Sequence, residues 1–283
     1  MTDRQPRISV VTPSYNQARF LEATMESIHS QGYPNLEHIV IDGGSTDGSV
    51  EIIERYADRL AHWVSEPDNG QTDAIAKGFA MTTGEILCWL NSDDLWEPWT
   101  LAEVARYFAE HPDVEFVYGD SIWIDDEDRV IKPKREHGFS RFVFNYAFNF
   151  LPQPSTFWRR GLYERVGGID PSFDMAMDAD LWARFAEVTE PRHVRRTWSR
   201  MRFYAEQKNT AGRDRSIQEV DAIQARYTPA QPEPVRAVKR GAALAWRVVL
   251  KAANGGYPPS ELARHLGLIR GKSWEQQEMD RAG

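Results

Sequence analysis

Two adjacent aspartates, Asp93 and Asp94, stand where carboxylates could do chemistry, separated by two residues from the apolar run 86–90. Desolvating a carboxylate is costly unless a cation or hydrogen-bond donors meet it. Carboxylates on a loop after a strand commonly hold Mg²⁺ or Mn²⁺, usually together with phosphate oxygens. The pair therefore indicates either a metal site or, as the alternative, a cap for a helix that begins near Pro98.

Two further acidic positions have the same double meaning. Asp42 ends a second apolar run and precedes Gly43 and Gly44, and glycine allows a backbone to approach a ligand closely. In the other interpretation, Asp47 or Ser45 of the same segment caps the next helix. Asp178 opens a helical segment. There it either complements the helix dipole or serves as a general base that faces a cleft.

Other kinds of site have little support in this sequence. The seven histidines show no metal spacing, and neither G-x-S-x-G nor G-x-G-x-x-G occurs. Cys88, the only cysteine, lies within a predicted strand and excludes a disulfide framework or a cysteine-based zinc site. One cysteine fits a reducing compartment, so we expect a cytoplasmic protein. We also expect no membrane-spanning helix, since no apolar stretch approaches about 18 residues.

The elements that must position these carboxylates alternate in the first half. Strands are predicted at 8–12, 36–41, 62–64 and 86–90, and helices at 16–30, 50–60, 72–81 and 98–111. The strands are too apolar to face water, which predicts an α/β fold with a mostly parallel sheet covered by helices on both faces. In such sheets ligands bind outside the carboxyl ends of the strands, so the polar strand ends should share one rim.

After residue 113 the pattern changes. Strands are predicted at 114–124, 130–132 and 155–158, and helices at 162–166 and 180–188. Eight aromatic residues lie between 139 and 158, and they either form core or line an acceptor site. A proline-rich linker at 229–234 precedes two predicted helices at 235–253 and 260–268.

Charge is spread unevenly along the chain. Residues 212–283 hold 12 basic and 8 acidic residues, a formal charge of +4. Because the whole chain has a formal charge of −8, residues 1–211 carry −12. An acidic body repels nucleic acid, so no nucleic-acid partner is expected. Such a body needs a cation to handle an anionic ligand.

The ordered motifs resemble those of family 2 glycosyltransferases with the GT-A fold. The resemblance covers about residues 6–211 and rests on the following stretches: VVTPSYN at 10–16, IDGGSTDGS at 41–49, SEPDNGQ at 65–71, TGE at 83–85, LNSDD at 90–94 and MDADLW at 177–182. It implies a nucleotide-binding half at 1–113, an acceptor-binding half at 114–211 and a helical C-terminal extension at 212–283.

The resemblance implies inverting transfer of a sugar from a nucleotide-sugar, UDP- or dTDP-linked, to a hydroxyl of a saccharide or glycolipid. It suggests a role in surface polysaccharide biosynthesis. Asp178 matches the catalytic base, and Asp93 and Asp94 match the metal carboxylates that would hold Mn²⁺ or Mg²⁺. The nucleotide would contact the following residues: Pro13, Tyr15, Asp42, Asp73, Lys77 and Asp93.

Three positions depart from the family pattern. Asn91 replaces the first Asp of the usual Asp-Ser-Asp-Asp, so Asp93 is expected to carry the metal. Met177 replaces the Glu that commonly precedes the base. Tyr204 stands where the family often has His, and it or Lys208 would have to substitute for that residue. These departures keep a non-catalytic sugar- or nucleotide-binding protein open as an alternative.

Two further questions stay open at this level. A sugar nucleotidyltransferase would share the α/β sheet but needs a glycine-rich, basic N-terminal loop, which residues 9–19 lack. The predicted helix at 235–253 is basic and amphipathic and contains Trp246, which suits peripheral contact with an anionic membrane. It suits equally well docking on the acidic body or a partner chain, including a second copy in a homo-oligomer.

Overall fold

The structure, a computed structural model, describes residues 5–208 and 212–257, and its strands form one sheet. The strand order is β3-β2-β1-β4-β8-β6-β9-β5, with β7 paired to β6. The strands are β1 (Ile8–Ser14), β2 (Leu36–Asp42), β3 (His62–Ser65), β4 (Ile86–Trp89), β5 (Leu95–Trp96), β6 (Phe116–Ile124), β7 (Val130–Lys134), β8 (Thr156–Arg159) and β9 (Arg192–Arg202).

The helices of the described residues follow the predicted order, with two additions. They are α1 (Ala18–His29), α2 (Ser49–Tyr56), α3 (Gln71–Met81), α4 (Thr100–Glu110), α5 (Arg141–Tyr146), α6 (Arg160–Arg165), α7 (Met177–Val188), α8 (Arg213–Tyr227) and α9 (Glu233–Ala253). The sequence did not reveal α5 or α8. The helix predicted at 260–268 lies outside the described residues.

The first half confirms the parallel arrangement. β1 pairs in parallel with β2 and β4, and β2 pairs in parallel with β3. β1 and β4 are buried along their whole length and β2 is buried after Leu36, because helices cover both faces of this half. The register places Ser14 opposite Asp42 and Asp42 opposite Ser65. The polar ends of these strands therefore share one rim, as predicted.

The second half makes the sheet mixed. β8 joins β4 and β6 in antiparallel pairs, and β6 pairs in parallel with β9. β9 was not predicted, because its sequence RHVRRTWSRMR is charged and lacks the alternation of a half-buried strand. Its arginines instead find carboxylates on α4 and beside β5: Arg196 pairs with Glu103, and Arg200 with Glu97 at 2.7 Å.

The aromatic segment between residues 139 and 158 mainly forms core, and only part of it reaches the surface. Phe144, Phe150, Phe157 and Trp158 are buried, whereas Phe142 is 37% exposed. Trp158 packs edge-on against the Trp89 and Trp182 rings, so this cluster joins the two halves of the sheet. Burial of these large rings is a main source of stability for the domain.

Helix α9 docks its basic side onto the body. Glu136 is fully buried, and its carboxylate lies 3.3 Å from Arg247 Nη2 and 3.7 Å from Lys251 Nζ. Lys239 Nζ lies 3.3 Å from the Tyr146 hydroxyl. A buried carboxylate is tolerated only with such partners. Of the predicted alternatives for the basic helix, docking on the body is therefore observed.

The opposite side of α9 is apolar and faces outward. Val238 is 72% exposed, Val249 54% and Trp246 47%. Across residues 5–208 and 212–257, no helix is long and apolar enough to cross a membrane. Membrane contact and self-association through this apolar side stay predictions.

Candidate active site

Asp93 and Asp94 lie in the turn between β4 and β5, against the end of β9. The Tyr204 hydroxyl donates to Asp93 Oδ2 at 2.9 Å, and the backbone N–H of Arg202 donates to Asp94 Oδ1 at 2.9 Å. The Arg202 guanidinium donates to the main-chain oxygen of Asp93 and pairs with Asp128, so it does not neutralise either carboxylate by direct contact. The short β5–β9 pairing brings these segments together.

The two carboxylates form a site that is short of positive charge. Burial is the main cause that raises the pKa of Asp93, and burial together with the Asp93 charge raises the pKa of Asp94 well above its usual range. Carboxylate oxygens are ligands that Mg²⁺ and Mn²⁺ prefer, and a bound cation would favour the ionised form of this pair. Asp94 is only 2% exposed and Asp93 9%. Asp93 is therefore the better placed of the two to meet a metal.

The alternative role of this pair as a helix cap is wrong. Helix α4 begins at Thr100 after Trp99, and the side chain that accepts an N–H of its first turn is Gln31, whose Oε1 lies 2.8 Å from Leu101 N. Within the described chain, no group of three or more His, Cys, Asp or Glu side chains could hold a metal by itself. A metal at Asp93 would thus need ligands from a bound diphosphate or water.

Asp42 organises its own turn. Its carboxylate accepts hydrogen bonds from Ser45 N at 2.8 Å, Gly44 N at 3.1 Å and Ser65 Oγ at 2.7 Å. Gly44 has φ +81°, a conformation that favours glycine. The capping alternative is borne out for Asp47, whose carboxylate accepts the first N–H of both α1 and α2, at 2.9 and 3.1 Å.

The other predicted nucleotide contacts lie along the same rim. Pro13 is buried within β1, whereas the Tyr15 side chain, just beyond its end, is 62% exposed. Asp73 accepts from the backbone N–H of Asn69 at 3.0 Å, and Lys77 Nζ lies 3.4 Å from the Asp73 carboxylate. Asp73 and Lys77 are thus paired with each other. A nucleotide role for these residues stays a prediction.

Asp178 occupies the first turn of α7 and is partly exposed. Its Oδ2 accepts from Asn149 Nδ2 at 2.9 Å and its Oδ1 from the backbone N–H of Ala179 at 2.7 Å. Burial raises its pKa to about 6, against the smaller lowering effects of these donors and of the Lys134 charge. A carboxylate with a pKa close to physiological pH is suited to accept a proton during a reaction.

A chain of polar contacts connects the Asp93 loop with the segment before Asp178. Gln71 Nε2 donates to Asn91 Oδ1 at 2.9 Å, and Lys208 Nζ lies 3.4 Å from Gln71 Oε1. Lys208 Nζ also donates to the Asp174 carboxylate at 2.7 Å. The chain links the loop of Asp93 to the segment before Asp178, although the two aspartates are more than eighty residues apart in sequence.

Sequence reasoning missed several residues of this cleft. Asn149 and Lys134 act on Asp178, and Gln71 acts on Asn91. Asn149 and Lys134 lie outside every motif quoted from the sequence, whereas Gln71 ends the SEPDNGQ stretch at 65–71 but had no role assigned to it. Tyr204 and Lys208 were considered as substitutes for the family histidine, and the structure places Tyr204 directly on Asp93.

The sequence profile described as glycosyl transferase family 2 matches residues 9–166, which is more than half of the chain. The chain belongs to this family. An uncharacterized glycosyltransferase of Mycobacterium tuberculosis is 33% identical over 195 residues, covering 67% of this chain and 72% of that one. A PGL/p-HBAD biosynthesis glycosyltransferase of Mycobacterium bovis is 32% identical over 206 residues, with 67% and 75% covered.

Solved structures agree on the GT-A fold. S. aureus TarS 1–349 in complex with UDP-GlcNAc matches with a TM-score of 0.64 at 17% identity, covering 84% of this chain and 71% of that one. Mannosyltransferase PcManGT of Pyrobaculum calidifontis, in complex with GDP-Man and Mn²⁺, matches with a TM-score of 0.58 at 22% identity, covering 95% and 82%. At these identities the likeness shows the fold alone. Family membership makes the protein a glycosyltransferase.

Proposed function

We propose that this glycosyltransferase moves a sugar from a UDP- or dTDP-linked donor to a hydroxyl of a saccharide or lipid-linked acceptor, with inversion at the anomeric carbon. The observation that carries the proposal is the polar chain Asn91–Gln71–Lys208–Asp174, which joins the Asp93 loop to the start of the helix that bears Asp178. A donor-binding carboxylate and a base at one cleft are what a single displacement requires.

In the proposed reaction, Asp178 accepts the proton of the acceptor hydroxyl. The hydroxyl oxygen forms a bond to the anomeric carbon while the bond from that carbon to the phosphate oxygen breaks on the opposite face. The electron pair of the broken bond leaves with the nucleoside diphosphate. Asn149 holds Asp178 Oδ2 through its amide, and such general-base assistance contributes roughly 10²–10⁴-fold to a rate.

The donor site residues fit a divalent metal, because Asp93 and Asp94 lie buried together without a directly paired cation. We propose that Asp93 would hold Mn²⁺ or Mg²⁺. A bound metal would neutralise charge that develops on the departing diphosphate. Tyr204 orients the Asp93 carboxylate, and Lys208 adds a positive charge at the same rim.

The place of action is proposed from a relative and from the cysteine content. The Mycobacterium bovis relative is named for PGL/p-HBAD biosynthesis, which supports a role in making surface glycolipids or polysaccharides. The sequence has a single cysteine and therefore no disulfide framework, which supports the cytoplasmic location proposed from the sequence.

A panel of nucleotide-sugars with and without Mn²⁺, read by thermal shift, tests the proposal. A UDP- or dTDP-sugar should stabilise the protein most, and more so with Mn²⁺. The same donors should then release nucleoside diphosphate on turnover. Pyrophosphate release from a nucleoside triphosphate would instead identify a nucleotidyltransferase, and stabilisation without any release would identify a binding protein; either result contradicts the proposal.

A further inference from the structure

Glu219 of α8 holds the backbone that leads into the helix of Asp178. Its Oε2 accepts the N–H groups of Met175 at 2.7 Å and Ala176 at 2.9 Å, and both carboxylate oxygens lie 3.1 Å from Asp174 N. One side chain thus accepts from three consecutive amides, a backbone arrangement that favours an anion. The Glu219 side chain is only 12% exposed, which limits competition from water.

The N-cap position of helix α7 carries no capping side chain. Ala176, the residue before its first turn, has no side-chain acceptor. The Glu219 carboxylate adds a negative charge just before this helix, next to Asp178 and Asp180 of its first turn, where it meets the positive end of the helix dipole. Although burial alone would raise the pKa of Glu219, the three backbone donors and Arg215 lower it. Glu219 is therefore charged at neutral pH.

The start of α8 is fitted closely to this segment. A Cβ on Gly212 would lie 2.5 Å from Met175 Cε, so a larger residue there would have to displace the flexible end of the Met175 side chain. Arg215 lies 3.0 Å from the Glu219 carboxylate and 3.1 Å from that of Asp174. Asp174 in turn binds Lys208, which reaches the donor side of the cleft.

We propose that Glu219 is a positioning residue for sugar transfer. By fixing the backbone of residues 174–176, it keeps the Asp178 carboxylate aligned with the acceptor hydroxyl. The region after residue 211, set apart by sequence as an extension, is in this view a working part of the active site. The inference rests on the proposed role of Asp178 as the base.

The test uses the full chain with Glu219→Gln, which keeps one acceptor oxygen but removes the charge. Glu233→Gln is the matched control, because Glu233 is exposed at the first residue of α9. The probe is the UDP- or dTDP-sugar that stabilises the protein most in the panel, with octyl glucoside and water as acceptors. Nucleoside diphosphate release gives kcat and KM, and titration calorimetry gives the number of nucleotide sites.

Glu219→Gln should lower kcat about 10- to 100-fold, because small misplacements of a reacting group cost this much. Its donor KM and its number of nucleotide sites should stay within twofold of the wild type, whereas simple unfolding would reduce the number of sites. Glu219→Asp keeps the charge on a shorter side chain, so its kcat should lie between those of Glu219→Gln and the wild type. It also supplies the comparison if Glu219→Gln does not fold.

Wild-type kcat in Glu219→Gln, or in Glu219→Asp where only that variant folds, would overturn the inference. Asp178→Asn in the same assay separates the two proposals. If Asp178→Asn is inactive while Glu219→Gln behaves like Glu233→Gln, only the positioning role fails. If Asp178→Asn turns over normally, the proposed base fails and the positioning role fails with it.

Discussion

The Tyr204 hydroxyl donates a 2.9 Å hydrogen bond to the Asp93 carboxylate, across 111 positions of sequence. The Asp93 charge and, above all, burial raise the pKa of Tyr204, so the phenol stays protonated and remains a donor. The Tyr204 ring lies 4.9 Å from that of Phe20. Tyr204 therefore fixes the orientation of a carboxylate that has few other partners.

The first prediction concerns metal response at Asp93. Asp93→Asn should remove most of the extra stabilisation that Mn²⁺ gives to a UDP complex, because an amide is a poorer ligand for a hard cation than a carboxylate. Thermal shift with UDP, Mn²⁺ and then EDTA measures this. Asp113→Asn, an exposed aspartate in the turn before β6, is the control. An unchanged Mn²⁺ response in Asp93→Asn would assign the metal elsewhere, with Asp94 next to be examined.

The second prediction is that Asp178→Asn loses activity and gains stability. Transfer should fall about 10²–10⁴-fold while nucleotide binding is retained. Because the folded state raises the pKa of Asp178 to about 6 from 3.8, its charge destabilises the protein above pH 6. Asn should therefore stabilise the fold by about 1–3 kcal/mol at pH 8, with less effect near pH 4. Denaturant unfolding at both pH values measures this, and a destabilised Asp178→Asn would contradict the assignment.

The third prediction is an acidic limb in the pH profile of kcat. Activity should fall about tenfold per pH unit below pH 6, since the base must be ionised. The Lys134 charge lowers the pKa of Asp178, so Lys134→Met should move this limb to higher pH. Lys132→Met, on the same strand, should leave it in place. Identical profiles for Lys134→Met and the wild type would mean that another group sets the limb.

The fourth prediction concerns the outward side of α9. If this side contacts a bilayer, the full chain should pellet with vesicles that contain anionic lipid, and Val238→Glu with Val249→Glu should abolish pelleting. Val130→Glu, at a side chain that is 60% exposed on β7, is the control. Equal pelleting of all three proteins would dismiss membrane contact through α9. Light scattering of the same proteins without vesicles detects a dimer in which the apolar side of α9 is covered.

The sequence by itself determined the architecture of the first half and the identity of the main carboxylates. Apolar runs too hydrophobic for water require a covered parallel sheet, and polar residues at their ends must then share a rim. The order of the motifs, through the family resemblance, singled out Asp93, Asp94 and Asp178, and their roles stay predictions. Apolar runs and short motifs are local features of the sequence, so they can be recognised without knowledge of the fold.

Only the tertiary structure decided what surrounds those carboxylates. β9 has no strand pattern of its own, and its pairing with β5 and β6 is what brings Tyr204 to Asp93. The same holds for Asn149 on Asp178 and for Glu219 on the backbone before it. From the sequence, the basic residues of α9 could form an exposed surface that binds anions. In the structure, Arg247 and Lys251 instead face the buried Glu136. The local sequence does not show which partner a charged side chain will have, because that partner is brought to it by long-range packing.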